Sequence, residues 1–411
     1  MSRFHWTEAE VARSARWHSE NESRPPRRVV VADDRMKADH AYRLACEGTA
    51  LLWRGDYHGA RQLLSALGRR VDRKDAVRKG AAAAAPAPLD GPGEVGGPSP
   101  AEAFHAERRA RRHRARVLGM LLVLLEGDHT LALRRAPDVR QACAEAYGPP
   151  PGEPVGVALT ELLGVLGAHQ WRTKGVEVPA LGARVHPHYG VFSPVRGEYV
   201  DLVARAPLPA AVRSEGPGSP GTPGTRTAFD LGTGTGVLAA VLARRGVARV
   251  VATDISPRAL ACARATMDRL GIADRVDVRD TVLYPEGRAG LVVCNPPWIP
   301  ARPSSTLEQG VYDPGGRMLH AFLDGLTAHL EPGGEGWLIL SDLAEHLGLR
   351  TRRELLDAVA GAGLRVVDRS DVRPRHPRAV DPDPDDPLRL ARAAEVTSLW
   401  RLAPVGSAPV G

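Results

Sequence analysis

The ten residues Ala-Phe-Asp-Leu-Gly-Thr-Gly-Thr-Gly-Val at positions 228–237 constrain this chain more than any other stretch. An apolar lead-in runs straight into a turn with glycine at 232, 234 and 236. An apolar, Ala-rich run from Val237 to Ala243 follows and reads as a helix. Glycine supplies positive φ where a chain reverses sharply, and it lets a ligand come close to the backbone. The helix start behind it offers unpaired N–H groups and the positive end of a dipole. A strand, a glycine turn and a helix in this order can hold a nucleotide-like ligand.

Downstream of Thr227 the pattern alternates strand and helix. Strands are predicted at 228–231, 249–253, 276–278, 290–294, 336–340, 364–368 and 397–402, and helices at 237–244, 257–270, 318–330 and 352–362. Gly290–Cys294 is almost wholly apolar and so belongs at the centre of a sheet, with Cys294 as a small buried hydrophobe. Short crossovers of this kind force an α/β fold, a doubly wound and mostly parallel sheet. Ligands bind such sheets at the carboxyl ends of the strands. Four features line up there: Asp230 with its glycines, Asp254 at the distance expected of an acid for ribose hydroxyls, Asp280, and the tetrad Asn295-Pro296-Pro297-Trp298.

The tetrad makes chemical sense by itself. An amide or exocyclic amine nitrogen has its lone pair delocalised into a π system. Hydrogen bonds from its N–H groups to the Asn295 side-chain oxygen and the Pro296 carbonyl would draw it towards a tetrahedral, nucleophilic state, because they act where positive charge develops. Pro296 and Pro297 stiffen the loop and fix the acceptors beforehand. Trp298 offers a flat face on which a planar group can stack.

In this order and register, the "Asp-Leu-Gly-Thr-Gly-Thr-Gly" phrase and the Asn-Pro-Pro-aromatic tetrad resemble the class I S-adenosylmethionine-dependent methyltransferases that act on planar nitrogens. The resemblance covers roughly residues 185–370. It implies a Rossmann-like fold and S-adenosyl-L-methionine as cofactor. It further implies that Asp230, Gly232, Gly234 and Gly236 hold the methionine end, Asp254 the ribose hydroxyls and Asp280 the adenine amino group, with Thr281 lining the ring. Two groups are similar over this core. HemK-like release-factor glutamine methyltransferases share both motifs, but normally carry Tyr where this chain has Trp298. They also show an acidic-Thr element where it reads Arg196-Gly197-Glu198. The RNA guanine or adenine amino methyltransferases share the "methyltransferase small" core. The methyl acceptor is therefore expected to be a macromolecule of the translation apparatus, protein glutamine or an RNA base amine. A non-catalytic RNA- or partner-binding protein on the same fold, and a small-molecule N-methyltransferase, are the alternatives.

The rest of the chain says less. Residues 1–78 are expected to be a helical region, with 1–35 loose or partly helical and two helices in 36–75 joined at Gly55-Asp56. Residues 79–101 form an Ala/Pro/Gly linker, and 102–175 a second helical region led by a long helix from Ala101 to Glu126. The methyltransferase domain is assigned to 176–411, with a loop insert at about 213–227. Net charge is +7. Arg108, Arg111, Arg112 and Arg116 are candidates for contact with RNA, although the arginines of this helix encircle it. Four widely spaced cysteines argue against zinc and disulfides. No apolar leader opens the sequence and no apolar run is long enough for a bilayer, so a cytoplasmic location is expected.

Overall fold

The computed structural model describes residues 2–83, 98–213, 226–303, 307–374 and 386–406. Most of the expected linker and of the insert at 213–227 lies outside these residues. The backbone divides into two compact units, Met1–Gln170 and Trp171–Gly411.

The first unit is not the helical region expected. Its strands are β1 (Arg3–Glu8), β2 (Val11–Trp17), β3 (Arg28–Ala32), β4 (Thr49–Trp53), β5 (Leu121–Leu125) and β6 (Val155–Ala158). They form a mixed sheet in the order β1-β2-β6-β5-β4-β3. Helices α1 (Ala38–Cys46), α2 (Tyr57–Ala83), α3 (Pro100–Leu118) and α4 (Arg140–Tyr147) lie between them, and α5 (Leu159–Lys174) follows β6. The corrections share a physical cause. A short apolar run reads equally well as helix or buried strand. Leu51, Leu52 and Trp53 continued the periodicity of α1, yet Gly48 at φ 78° breaks the helix and β4 is buried throughout. Likewise α3 stops at Leu118, and Leu121–Leu125 is a fully buried strand rather than a last helical turn. In β1 and β2 the polar residues outnumber the inward ones, and only Phe4, Trp6 and Ala15 are buried.

The second unit holds the fold expected of it. A small hairpin, β7 (Val176–Val178) and β8 (Ala183–Val185), precedes α6 (Glu198–Arg205). Then follow β9 (Thr227–Leu231), α7 (Val237–Arg244), β10 (Arg249–Asp254), α8 (Pro257–Leu270), β11 (Val276–Asp280) and β12 (Ala289–Cys294). The chain continues through α9 (Arg317–His329), β13 (Leu330–Ser341), α10 (Leu343–His346), α11 (Arg352–Gly361), β14 (Leu364–Val372), α12 (Arg389–Ala394) and β15 (Thr397–Pro404). The sheet order is β11-β10-β9-β12-β13-β15-β14. Strands β11 to β13 in that order pair in parallel, while β15 is antiparallel to both of its neighbours.

Both faces of this sheet are covered, as parallel strands require. Alternate residues of β12 go to opposite cores: Leu291 and Val293 pack with α7, while Val292 and Cys294 pack with Leu319, Phe322 and Leu323 of α9. Leu231 pairs with both Thr253 and Cys294, and Asp254 pairs with Asp280. This register brings the four predicted strand-end features to one edge.

The sheet assignment of the first unit can be tested at Gly156 in β6. A Cβ there would lie 2.2 Å from Cε1 of Phe4 in β1, on a ring that cannot bend away. Gly156→Ala is expected to cost about 1–3 kcal/mol, read as a lower urea midpoint of the first unit by tryptophan fluorescence. An unchanged midpoint would contradict the packing of the amino-terminal hairpin on β6.

Candidate active site

The glycine turn is held by two carboxylates from adjacent strands. Gly232, Gly234 and Gly236 all have positive φ, at 71°, 54° and 80°. A Cβ on Gly232 would lie 2.6 Å from Cε of Met318, and one on Gly236 would lie 3.2 Å from the Ala263 backbone. A Cβ on Gly234 would meet open space, so its φ and not crowding requires glycine there. Asp230 Oδ2 accepts from Thr233 Oγ1 at 2.6 Å and from the Ala239 amide, inside the first turn of α7, at 3.0 Å. Asp254 Oδ2 accepts from the Gly234 amide at 3.0 Å, and Oδ1 from the Ser256 amide at 2.9 Å. Asp230 is thereby a structural anchor of the turn, a role the sequence reading did not separate from ligand contact.

Beyond the turn, carboxylate and apolar groups alternate along the edge. Asp254 is half-buried and Asp280 is exposed at the ends of neighbouring strands. Thr281 is half-buried, and its amide donates to the Asp254 carbonyl. Ile255 and Val282, which follow these acids, are 68% and 83% exposed. Bare aliphatic side chains beside two strand-end carboxylates suit a nucleoside, whose ring faces are apolar and whose hydroxyl and amino groups donate hydrogen bonds. These acceptors and aliphatic faces fit S-adenosylmethionine.

The tetrad lies one strand further on. Trp298 Nε1 donates to Asn295 Oδ1 at 2.8 Å. An indole N–H only donates, so its partner must be the amide oxygen, and this fixes which way Asn295 faces. Pro296 is buried, whereas Asn295, Pro297 and Trp298 are half-buried. Trp298 packs against both cores of the unit. The loop is tied down behind the tetrad: the Ile299 amide donates to the Val311 carbonyl, and the Asp313 amide to the Ile299 carbonyl. Asp313 is 5% exposed, and its carboxylate caps α9 by accepting from Met318 and Leu319 amides at 2.8 and 3.3 Å. Sequence reasoning passed over Asp313 and Thr233. An aspartate before Pro-Gly-Gly at a helix start was the available signal for the first. Cys294 is buried, and burial pushes its thiol well above the ordinary range, which leaves it unreactive.

The arginine helix does not present the four predicted contacts as one free face. Arg108 is buried against Phe104, its guanidinium carbon 5.8 Å from the ring centroid. Arg111 pairs with Glu107 at 2.9 Å, and Arg116 bonds His113 at 3.2 Å. Arg112 is exposed. Among the described residues no group of three or more His, Cys, Asp or Glu side chains could hold a metal ion, and no helix is long and apolar enough to cross a membrane.

Burial raises the Asp230 carboxyl to about 6. The folded state therefore holds this proton more tightly than the unfolded chain does. Its contribution to stability is complete below about pH 4 and is lost as pH rises through 6, on the order of 3 kcal/mol in all. Asp230→Asn cannot ionise. Urea midpoints taken from pH 4 to pH 7.5 should fall in the wild type relative to this variant, and parallel profiles would contradict the assignment.

Comparison with known proteins gives the site a relationship. Residues 219–360 match the Methyltransferase small domain. Over 152 residues the chain is 37% identical to a release factor glutamine methyltransferase of Cereibacter sphaeroides, covering 34% of this chain and 52% of that protein. Over 71 residues it is 49% identical to a ribosomal protein L11 methyltransferase of Pelotomaculum thermopropionicum, covering 17% and 23%. The chain thus spans about half the length of the first relative and less of the second. A solved ribosomal protein L11 methylase from Lactobacillus delbrueckii subsp. bulgaricus aligns with a TM-score of 0.30 at 19% identity, over 43% of this chain and 69% of that one. Residues 219–360 of the second unit thus match the Methyltransferase small domain, and the relatives they resemble are named as methyltransferases.

Proposed function

We propose that the second unit transfers a methyl group from S-adenosylmethionine to a planar side-chain nitrogen of a protein of the translation apparatus. The observation that carries this reading is the Asn295–Trp298 hydrogen bond. It leaves one lone pair of a fixed amide oxygen, beside the carbonyl of a buried proline, at the carboxyl edge of the sheet.

When bound, the cofactor supplies an electrophilic methyl group on a sulfonium. Asp254 accepts from the ribose hydroxyls, Asp280 from the adenine amino group, and Thr281, Ile255 and Val282 flank the ring. Gly232, Gly234 and Gly236 let the methionine portion approach the turn that Asp230 braces. On the target side, the target N–H groups donate to Asn295 Oδ1 and the Pro296 carbonyl. These bonds favour the pyramidal nitrogen and stabilise the positive charge it acquires. Pro297 restricts the backbone between the two acceptors and Trp298. The indole holds Asn295 in place through its N–H while its ring packs against the sheet cores, so the acceptors need no reorganisation during transfer. The proton leaves with solvent after transfer, since a methylated amide nitrogen is strongly acidic while positively charged.

A protein target is favoured here over RNA. The relatives' names, a release factor glutamine and a ribosomal protein, are of the same kind.

Two variants separate the arms of the site. Asn295→Ala should lower the rate of labelled-methyl transfer about 10²–10³-fold, with S-adenosylmethionine affinity by calorimetry within about threefold of wild type. Asp254→Ala should weaken cofactor binding by at least about tenfold. Wild-type turnover in Asn295→Ala would remove the tetrad from the mechanism.

A further inference from the structure

Thr253 lies one residue before Asp254 in β10 and is fully buried. It alternates with Val251, whose side chain joins the core beneath α9. A hydroxyl in such a place needs a partner. Thr253 Oγ1 donates to the Leu283 carbonyl at 2.6 Å. The Thr253 carbonyl accepts from the Thr233 amide at 2.9 Å. Thr233 belongs to the glycine turn and Leu283 to the loop after β11. One residue of β10 thus ties together the two segments that flank it at the carboxyl edge.

Leu283 is held in an unfavourable conformation, with φ at 64°. An L-residue pays a steric penalty there, and leucine has no polar side chain to offset it. Such a residue persists only where its surroundings impose it, and residues of this kind gather at functional sites. The surroundings are plain. The Thr281 amide donates to the Asp254 carbonyl at 3.3 Å. The Tyr284 hydroxyl donates to the Phe322 carbonyl of α9, and its ring stacks on His329 with 4.2 Å between centroids. An extended chain would send Leu283 and Tyr284 to opposite sides. The left-handed residue lets both pack on the core beneath α9. Of residues 281–284 only Val282 is left exposed, next to Thr281 and the strand-end acids.

We propose that Thr253 is a positioning residue for the cofactor: its hydroxyl holds Leu283 in the left-handed conformation that presents Thr281 and Val282 to the adenine ring. The inference rests on the cofactor reading of Asp254, Asp280 and Val282 given above. Thr253 itself touches no ligand, so its burial is no obstacle, and it acts through the backbone of the loop. Its two hydrogen bonds divide the work. The carbonyl braces the turn that receives the methionine portion, and a side-chain substitution leaves that bond in place. The hydroxyl serves the nucleoside end alone.

The test titrates the full chain by calorimetry with S-adenosylmethionine and with 5′-methylthioadenosine, which keeps the nucleoside and lacks the amino-acid end. Thr253→Val keeps the shape and removes the donor, while Thr253→Ser keeps the donor. Thr253→Val should weaken both ligands by the same factor, roughly fivefold, the loss of one hydrogen bond. Thr253→Ser should stay within about twofold of wild type for both. A variant that is only less stable binds with unchanged affinity while it remains folded. Should Thr253→Val not fold, Thr253→Cys, whose thiol is a weak donor, carries the test with a loss of about threefold. Wild-type affinity in the variant without the hydroxyl, a loss confined to S-adenosylmethionine, or an equal loss in Thr253→Ser overturns the role of Thr253. Failure of the wild-type chain to bind S-adenosylmethionine overturns the cofactor reading itself, before any variant is compared.

Discussion

Two hydrogen-bonded carboxylates decide how the second unit can work. Asp230 and Asp254 end neighbouring parallel strands, and each accepts backbone N–H bonds from the glycine turn or the helix behind it. A turn with three left-handed glycines has little conformational preference of its own. The acids impose one shape on it, and they do so from strands whose register is set by the buried alternation of the sheet. Asp230 is buried enough to favour its proton, and its bonds to Thr233 and Ala239 partly offset that cost. The same edge then carries the tetrad, so the proposed cofactor and target sites share a single frame.

That frame was legible in the sequence because parallel crossovers leave strong marks. Val237–Arg244 and Pro257–Leu270 agree with the helices found, and β9 through β12 fall within a few residues of expectation. The strand-end residues were legible for the same reason, since the topology alone sends them to one edge. What they bond was not. Nothing in the order of residues says that the Trp298 indole engages Asn295, or that Asp313, fifteen residues beyond Trp298, ties the loop to α9. Those contacts depend on how the loop folds back, and sequence distance carries no information about it.

The first unit was misread because its strands are either too polar or too apolar to show alternation. Leu121–Leu125 is buried on both faces and joined a helical pattern from α3 without a break that periodicity could detect; Gly119 was the only punctuation. Arg3–Glu8 and Val11–Trp17 hide a hairpin among charges because one face of it meets solvent. The arginine helix shows the matching limit for function. A count of cations suggested a phosphate surface, while burial of Arg108 and ion pairs at Arg111 and Arg114 give several of them structural partners.

The central claim is chemical: the tetrad selects a planar nitrogen. It is tested most directly by tandem mass spectrometry of the methylated product, which locates the added methyl group on a single atom. The account predicts a methyl on a side-chain amide nitrogen, retained through base treatment that cleaves methyl esters. A methyl on oxygen, sulfur or carbon would contradict it, because neither Asn295 nor the Pro296 carbonyl would then have an N–H to accept.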